Sequence, residues 1–161
     1  MKVEAVDEIT INIPAKPDFV GIVRLSLSGI ANRMGFSYDD IEDMKLAIAE
    51  ACTNAVEHAY QGTATGEVAV TYSLFADRLE VKVEDKGCSF DSARVQSSCG
   101  PIQNDQPLPL MRERGLGIYL MKTLMDNVEI SDGEGVVVVM TKYLRRDEVE
   151  PHVAISETKS Y

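Results

Sequence analysis

The stretch Glu50-Ala51-Cys52-Thr53-Asn54-Ala55-Val56-Glu57-His58-Ala59-Tyr60 decides how this chain is read. Glu50, Asn54 and His58 are spaced four apart, so in a helix they stack on one face. Asn is a weak helix former, because its amide competes with the backbone. A carboxylate, an amide and an imidazole in register offer a base, an oxygen ligand for a hard cation and a hydrogen-bonding group. A solvated helix edge would carry the same residues, since surface helices have polar faces.

Outward from this ladder, the helix extends back to Ser37, where Ser37 and Asp40 make a start signal. Ile41, Met44, Ile48, Cys52, Ala55 and Ala59 form its apolar stripe. At about 100° per residue, Glu50 and Asn54 fall more than about 90° from the centre of that stripe, toward solvent or a ligand. Upstream, Ile9, Ile11 and Ile13 alternate with polar residues and predict a strand that meets Pro14. Phe19, Val20, Val23, Leu27, Ile30 and Met34 then recur at helical spacing, with Gly35 as the stop and Arg24 off the stripe.

Downstream, Val68, Val70, Tyr72 and Leu74 alternate, as do Leu79, Val81 and Val83, which predicts a β-hairpin. Residues 92–113 have no steady period and contain three prolines, which predicts a functional or mobile loop. Arg114-Gly115-Leu116-Gly117 opens a helix through Met125. Val128 to Ser131 and Val136 to Leu144 make a second hairpin, and the polar tail 145–161 is expected to be loose. Hairpins demand antiparallel pairing, so the chain is α+β: a two-layer sandwich with a mixed, mainly antiparallel sheet and helices on one face.

Length and composition narrow the function. The 161 residues suit a single domain, and 45% hydrophobic content supports a core. A net charge of −10 repels polyanions, so direct DNA binding is not expected. The longest aliphatic run, Val136 to Met140, is far short of the roughly 20 residues that span a bilayer. No membrane association or secretory leader is expected. Three cysteines without paired spacing fit a reduced, cytoplasmic protein.

Two further motifs are each weak alone. Asp85-x-Gly87 at a strand end lets a carboxylate accept a hydrogen bond from an exocyclic amine while glycine admits a flat ring. It is also an ordinary turn. Gly115-Leu116-Gly117 leading into a helix can cradle phosphate on free amides, with Arg114 beside it; a flexible loop exit reads the same way. No Gly-x-x-x-x-Gly-Lys-Ser/Thr loop is present.

Together, in this order and spacing, the motifs resemble the nucleotide-binding boxes of the GHKL superfamily, whose members include gyrase, histidine kinases and MutL. Glu50-x-x-x-Asn54-Ala-x-x-His58-Ala-Tyr60 resembles the N box, Asp85-x-Gly87-x-x-Phe90 the first glycine box, and Gly115-Leu116-Gly117 the second. Pro14 to Pro17, Arg24 to Gly29, Ile41-Glu42-Asp43, Gly115 to Met121 and Met140 to Leu144 are similar to the RsbW family of stress-response anti-sigma factors and serine-protein kinases. The likeness runs from about Glu8 to Leu144.

The resemblance implies a Bergerat ATP-binding fold and a homodimeric, partner-switching kinase. It would use ATP and Mg2+ to phosphorylate a serine on an anti-anti-sigma protein, and would sequester a sigma factor. Glu50 would be the general base and Asn54 the magnesium ligand. Asp85 would take the adenine amino group, with Gly87 close to the ring and Thr141 helping to hold adenine. Gly115, Leu116 and Gly117 would hold phosphates, 92–113 would be the ATP lid, and Arg24 would contact both protein partners. Arg114 stands where the family often has glycine, which adds a phosphate contact or changes the lid. His58 either closes the site or serves packing. A nucleotide-gated sigma-binding module with little kinase activity is the alternative reading.

Overall fold

The structure is a computed structural model and describes residues 4–60, 66–85, 108–132 and 135–145. Among the described residues, five strands and three α-helices appear in the order β1 (Asp7–Pro14), α1 (Val20–Met34), α2 (Tyr38–Tyr60), β2 (Glu67–Leu74), β3 (Arg78–Asp85), α3 (Leu108–Leu124), β4 (Asn127–Asp132) and β5 (Val136–Tyr143). The sheet order is β1-β2-β3-β5-β4, and every neighbouring pair is antiparallel. The crossover through α3 makes β3 and β4 run the same way, yet β5 lies between them, so the sheet is the mainly antiparallel one expected.

Local chemistry explains where the helices start and stop. A 3-10 turn at Pro17–Phe19, with proline at its start and Asp18 in its first turn, leads into α1. Gly35 ends α1 in the left-handed region at φ 94°, and Phe36 N–H donates back to Ala31 O at 3.1 Å. That conformation is one glycine adopts without the penalty of a Cβ. The Ser37 hydroxyl accepts from Asp40 N–H at 3.2 Å and caps α2.

The alternation of β2 and β3 decides which side the helices cover. Leu79, Val81 and Val83 are buried on one face of β3, against Val68, Val70 and Tyr72 of β2 and Met140 and Val138 of β5. Helix α2 covers this face with Met44, Ile48, Cys52 and Val56, while Ala47, Ala51 and Ala55 let its neighbours approach closely. Helix α1 adds Val23, Leu27 and Ala31; the buried Tyr72 hydroxyl is tied to Ser26 Oγ at 2.7 Å and donates to Val23 O at 3.1 Å.

Helix α3 differs from the sequence expectation. It begins at Leu108 instead of Arg114, so residues 108–113 of the expected lid have helical backbone, and the rest of that segment, 92–107, lies outside the described residues. Pro109 is tolerated because first-turn amides have no partner within a helix. The glycines at 115 and 117 mask the helix in sequence, since each lowers helix propensity by about 1 kcal/mol relative to Ala. Packing of Ile118, Met121, Leu124 and Met125 onto the core overrides that preference. Lys142, 4% exposed, reaches inward from β5 and donates from Nζ to Leu124 O at the end of α3, at 2.7 Å. Its Nζ also lies 3.8 Å from Asp40 Oδ1 at the start of α2.

Candidate functional site

Helix α2 carries the ladder, and its partner is α3. Glu50 and Asn54 are both half-buried and sit under Gly117. A Cβ on Gly117 would lie 3.1 Å from Glu50 Oε2 and 3.5 Å from Asn54 Nδ2. The two side chains therefore do not form a solvated helix edge. They line a narrow seam between two helices, with glycine on the far side because a larger residue would press on the carboxylate. Leu116 and Tyr119, on either side of Gly117 in sequence, are 68% and 71% exposed.

At the other end of the ladder His58 meets Asp85. Parity on β3 places Asp85 on the same face as Leu79, Val81 and Val83, toward α2. The Asp85 side chain is 2% exposed and Oδ2 is hydrogen-bonded to His58 Nδ1. A carboxylate only accepts, so the imidazole Nδ1 carries the proton of that bond. Burying a carboxylate costs several kcal/mol unless it is paired, and the imidazole supplies a partner. The sequence treated the ladder and Asp85 as separate motifs; the fold joins them through this contact.

The remaining expected residues divide into three groups. Gly117 belongs to the seam, and Leu116 beside it in α3 is exposed. Arg114 and Gly115 lie in α3 by backbone, and Gly87 falls outside the described residues. Because α3 starts at Leu108, the amides of Gly115, Leu116 and Gly117 are internal to the helix here, not the unpaired amides of a helix start. Arg24 is exposed on α1, far along the sequence from the ladder; Ile22 and Leu25 of the same helix are 50% and 74% exposed.

Thr141 is not brought to Asp85. Its register partner on β3 is Glu80, and its neighbours Met140 and Lys142 point to the helix side while Thr141 points to the opposite face. Side chains alternate faces along a strand, so a position one residue off lies on the wrong side of the sheet. The adenine contact expected of Thr141 is corrected accordingly. What β5 does bring to Asp85 is Gly135, whose Cβ would lie 3.1 Å from the Asp85 carbonyl oxygen. Gly135 stands between the two strands of the second hairpin and was not among the residues singled out from the sequence. Its signal was the position of a glycine immediately before a strand.

No group of three or more His, Cys, Asp or Glu side chains suited to a metal occurs among the described residues. The seam offers two side chains with hard oxygen donors, the Glu50 carboxylate and the Asn54 amide. No helix among the described residues is long and apolar enough to cross a membrane.

The chain is similar to known proteins over most of its length. The family described as histidine kinase-like ATPase domain matches residues 13–142. The chain is 53% identical over 146 residues to a serine-protein kinase RsbW of Bacillus licheniformis, covering 91% of each chain. It is 49% identical over 161 residues to a serine-protein kinase RsbW of Halalkalibacterium halodurans, covering 99% of this chain and 98% of that one. A solved structure of the RsbU and RsbW domains of Rv1364c from Mycobacterium tuberculosis superimposes with a TM-score of 0.60 at 21% identity, covering 85% of this chain. The chain spans about a third of that longer protein (32%), and the likeness there is one of fold.

Proposed function

The chain belongs to the histidine kinase-like ATPase family, and on that premise we propose that it is an ATP-dependent protein-serine kinase that switches partners. It phosphorylates a serine on an anti-anti-sigma protein and, in the alternative complex, holds a sigma factor. The observation that carries this reading is the seam in which Glu50 and Asn54, in register on α2, face Gly117 of α3. It is supported by near full-length identity of about half to serine-protein kinases named RsbW.

The chemistry asked of the protein is modest. Phosphoryl transfer depends mainly on positioning and charge neutralisation. Glu50 orients the acceptor serine hydroxyl and takes its proton. The Asn54 amide oxygen is a hard ligand suited to magnesium, which typically takes one or two protein ligands and completes its shell with phosphates and water. A magnesium ion held by Asn54 would neutralise phosphate charge. Asp85 accepts from the amino group of adenine, and Gly87 leaves room for the ring.

Phosphate binding at Gly115 to Gly117 requires their amides to be released. Two glycines and Pro109 make the first turns of α3 a weak helix, so opening them on nucleotide binding is inexpensive. The lid, 92–113, then folds over the phosphates, and Arg114 adds a charge-assisted contact. Protein partners bind at the α1 surface around Arg24, which is exposed. Arginine is enriched at protein interfaces. The working assembly is a homodimer in the cytoplasm.

The test is Glu50→Gln. The variant keeps ATP binding by calorimetry and loses transfer of labelled phosphate to the anti-anti-sigma protein by about 10²–10⁴-fold, the usual worth of a general base. Transfer at the wild-type rate removes Glu50 from the mechanism and weakens the kinase reading.

A further inference from the structure

We propose that His58 is a positioning residue for the nucleobase: its bond to Asp85 holds that carboxylate as an acceptor facing the base, and so selects a 6-amino purine over a 6-oxo purine. This rests on the reading of Asp85 as the base-binding carboxylate.

Three observations carry it. The Asp85 side chain is 2% exposed, and its Oδ2 is hydrogen-bonded to the His58 imidazole. Asp85 is also fixed from the other side, where Gly135 packs on its carbonyl oxygen closely enough that a Cβ would lie at 3.1 Å. A residue clamped on both its backbone and its side chain cannot reorient without disturbing β5 or α2. Third, His58 belongs to the same helix face as Glu50 and Asn54. Glu50 and His58 stand about 12 Å apart along the axis at about 1.5 Å per residue. Base and terminal phosphate lie at opposite ends of a nucleoside triphosphate, and the ladder places His58 at the base end and Glu50 at the phosphate end.

The selectivity follows from hydrogen-bond inventory. A carboxylate accepts from an exocyclic amine and repels a keto oxygen. By holding Oδ2, His58 fixes the orientation in which the carboxylate accepts, and so protects the discrimination. Mere packing of the ring would stabilise the fold and leave the choice of base untouched.

The experiment measures affinities of the full chain for Mg-ATP and Mg-ITP, which share their phosphates and differ at the purine 6-position. Wild type is expected to prefer ATP. His58→Leu should narrow the ATP-to-ITP ratio by about tenfold or more, the loss of one hydrogen bond to a charged group. His58→Asn carries an amide nitrogen near the position of Nδ1 and should restore most of the ratio. Should the Leu variant fail to fold, His58→Gln, whose amide sits one bond further out, should show the same narrowing. A wild-type ratio in folded Leu or Gln variants overturns the proposal. Asp85→Asn separates the two levels: if it leaves the ratio unchanged, or if wild type shows no preference, the assignment of Asp85 to the base fails and the role of His58 falls with it.

Discussion

Replacing Gly117 by alanine should raise stability and lower activity, an opposition that few other readings of α3 would produce. In a helix interior, alanine is favoured over glycine by about 1 kcal/mol. Gly117 is buried in α3, and its added Cβ would stand 3.1 Å from Glu50 Oε2 and 3.5 Å from Asn54 Nδ2. Non-bonded heavy atoms are most comfortable at about 3.5–4.0 Å. The nearer atom is the end of a flexible side chain, so it can yield by a few tenths of an ångström. The propensity gain then survives in part, and urea or thermal unfolding should show a gain of up to about 1 kcal/mol, roughly 2–4 °C in Tm for a chain of this size. The displaced carboxylate is less fortunate. A misplacement of about 1 Å can cost about 10²-fold in rate, so a shift of a few tenths predicts a loss of about fivefold to tenfold in kcat. The assay is transfer of labelled phosphate to the anti-anti-sigma protein at saturating ATP, run beside the unfolding curves. Wild-type kcat in the stabilised variant would show that Glu50 does not depend on the glycine opposite it. A stability loss beyond about 1 kcal/mol would show that the seam cannot relax.

Three further outcomes are expected. Asn54→Ala should weaken Mg-ATP binding more than metal-free adenosine binding, since its amide oxygen serves the cation; equal losses in calorimetry would indicate a folding defect. The Cys52 thiol, free and fully buried, is pushed up to about 12 by burial. The folded chain therefore holds this proton more tightly than the unfolded chain, and stability should fall as pH rises from about 9 toward 12, by about 1.4 kcal/mol per pH unit from this group. The slope of urea midpoint against pH should flatten in Cys52→Ala, and in a chain with Cys88 and Cys99 changed to serine a thiol reagent at pH 8 should label Cys52 only on unfolding; an unchanged slope or rapid native labelling would contradict the buried thiol. Arg24→Glu should weaken both sigma and anti-anti-sigma binding while leaving ATP affinity and dimer mass by light scattering intact; undiminished binding of both partners would remove the α1 surface.

What the sequence could show depended on one-sided burial. Helix α2 and the β2–β3 hairpin each hide one face, so period 3.6 and period 2 stood out, and their observed spans lie within a residue or two of the reading. Gly35 and Ser37 were legible because helix ends are satisfied by neighbours in sequence. Helix α3 was cut short because its glycines and Pro109 oppose helix locally while packing favours it. Thr141 was misplaced for a different reason. Its face depends on the register of β5 against β3, and these strands become neighbours only through the α3 crossover, which no local pattern encodes. The partnership of His58 with Asp85 was hidden likewise, since one residue lies on α2 and the other at the end of β3.

The position of the ladder is itself set at two points. At its N-terminal end, Lys142 draws the start of α2 and the end of α3 to the same buried ammonium, through Asp40 and Leu124 O. At its C-terminal end, His58 pins α2 to the last residue of β3. Each anchor includes a buried ionisable group, Lys142 at one end and Asp85 at the other, and such groups are costly to leave unpaired, so neither end can slide without stranding one of them in an apolar interior. The middle of α2, where Glu50 and Asn54 sit, is held by apolar packing and by the close approach of Gly117. Apolar packing is non-directional and would tolerate small sliding of the helices. It is the polar contacts at the two ends that fix the register of α2 against α3 and β3, and with it the distance between the group that meets the base and the group that meets the serine.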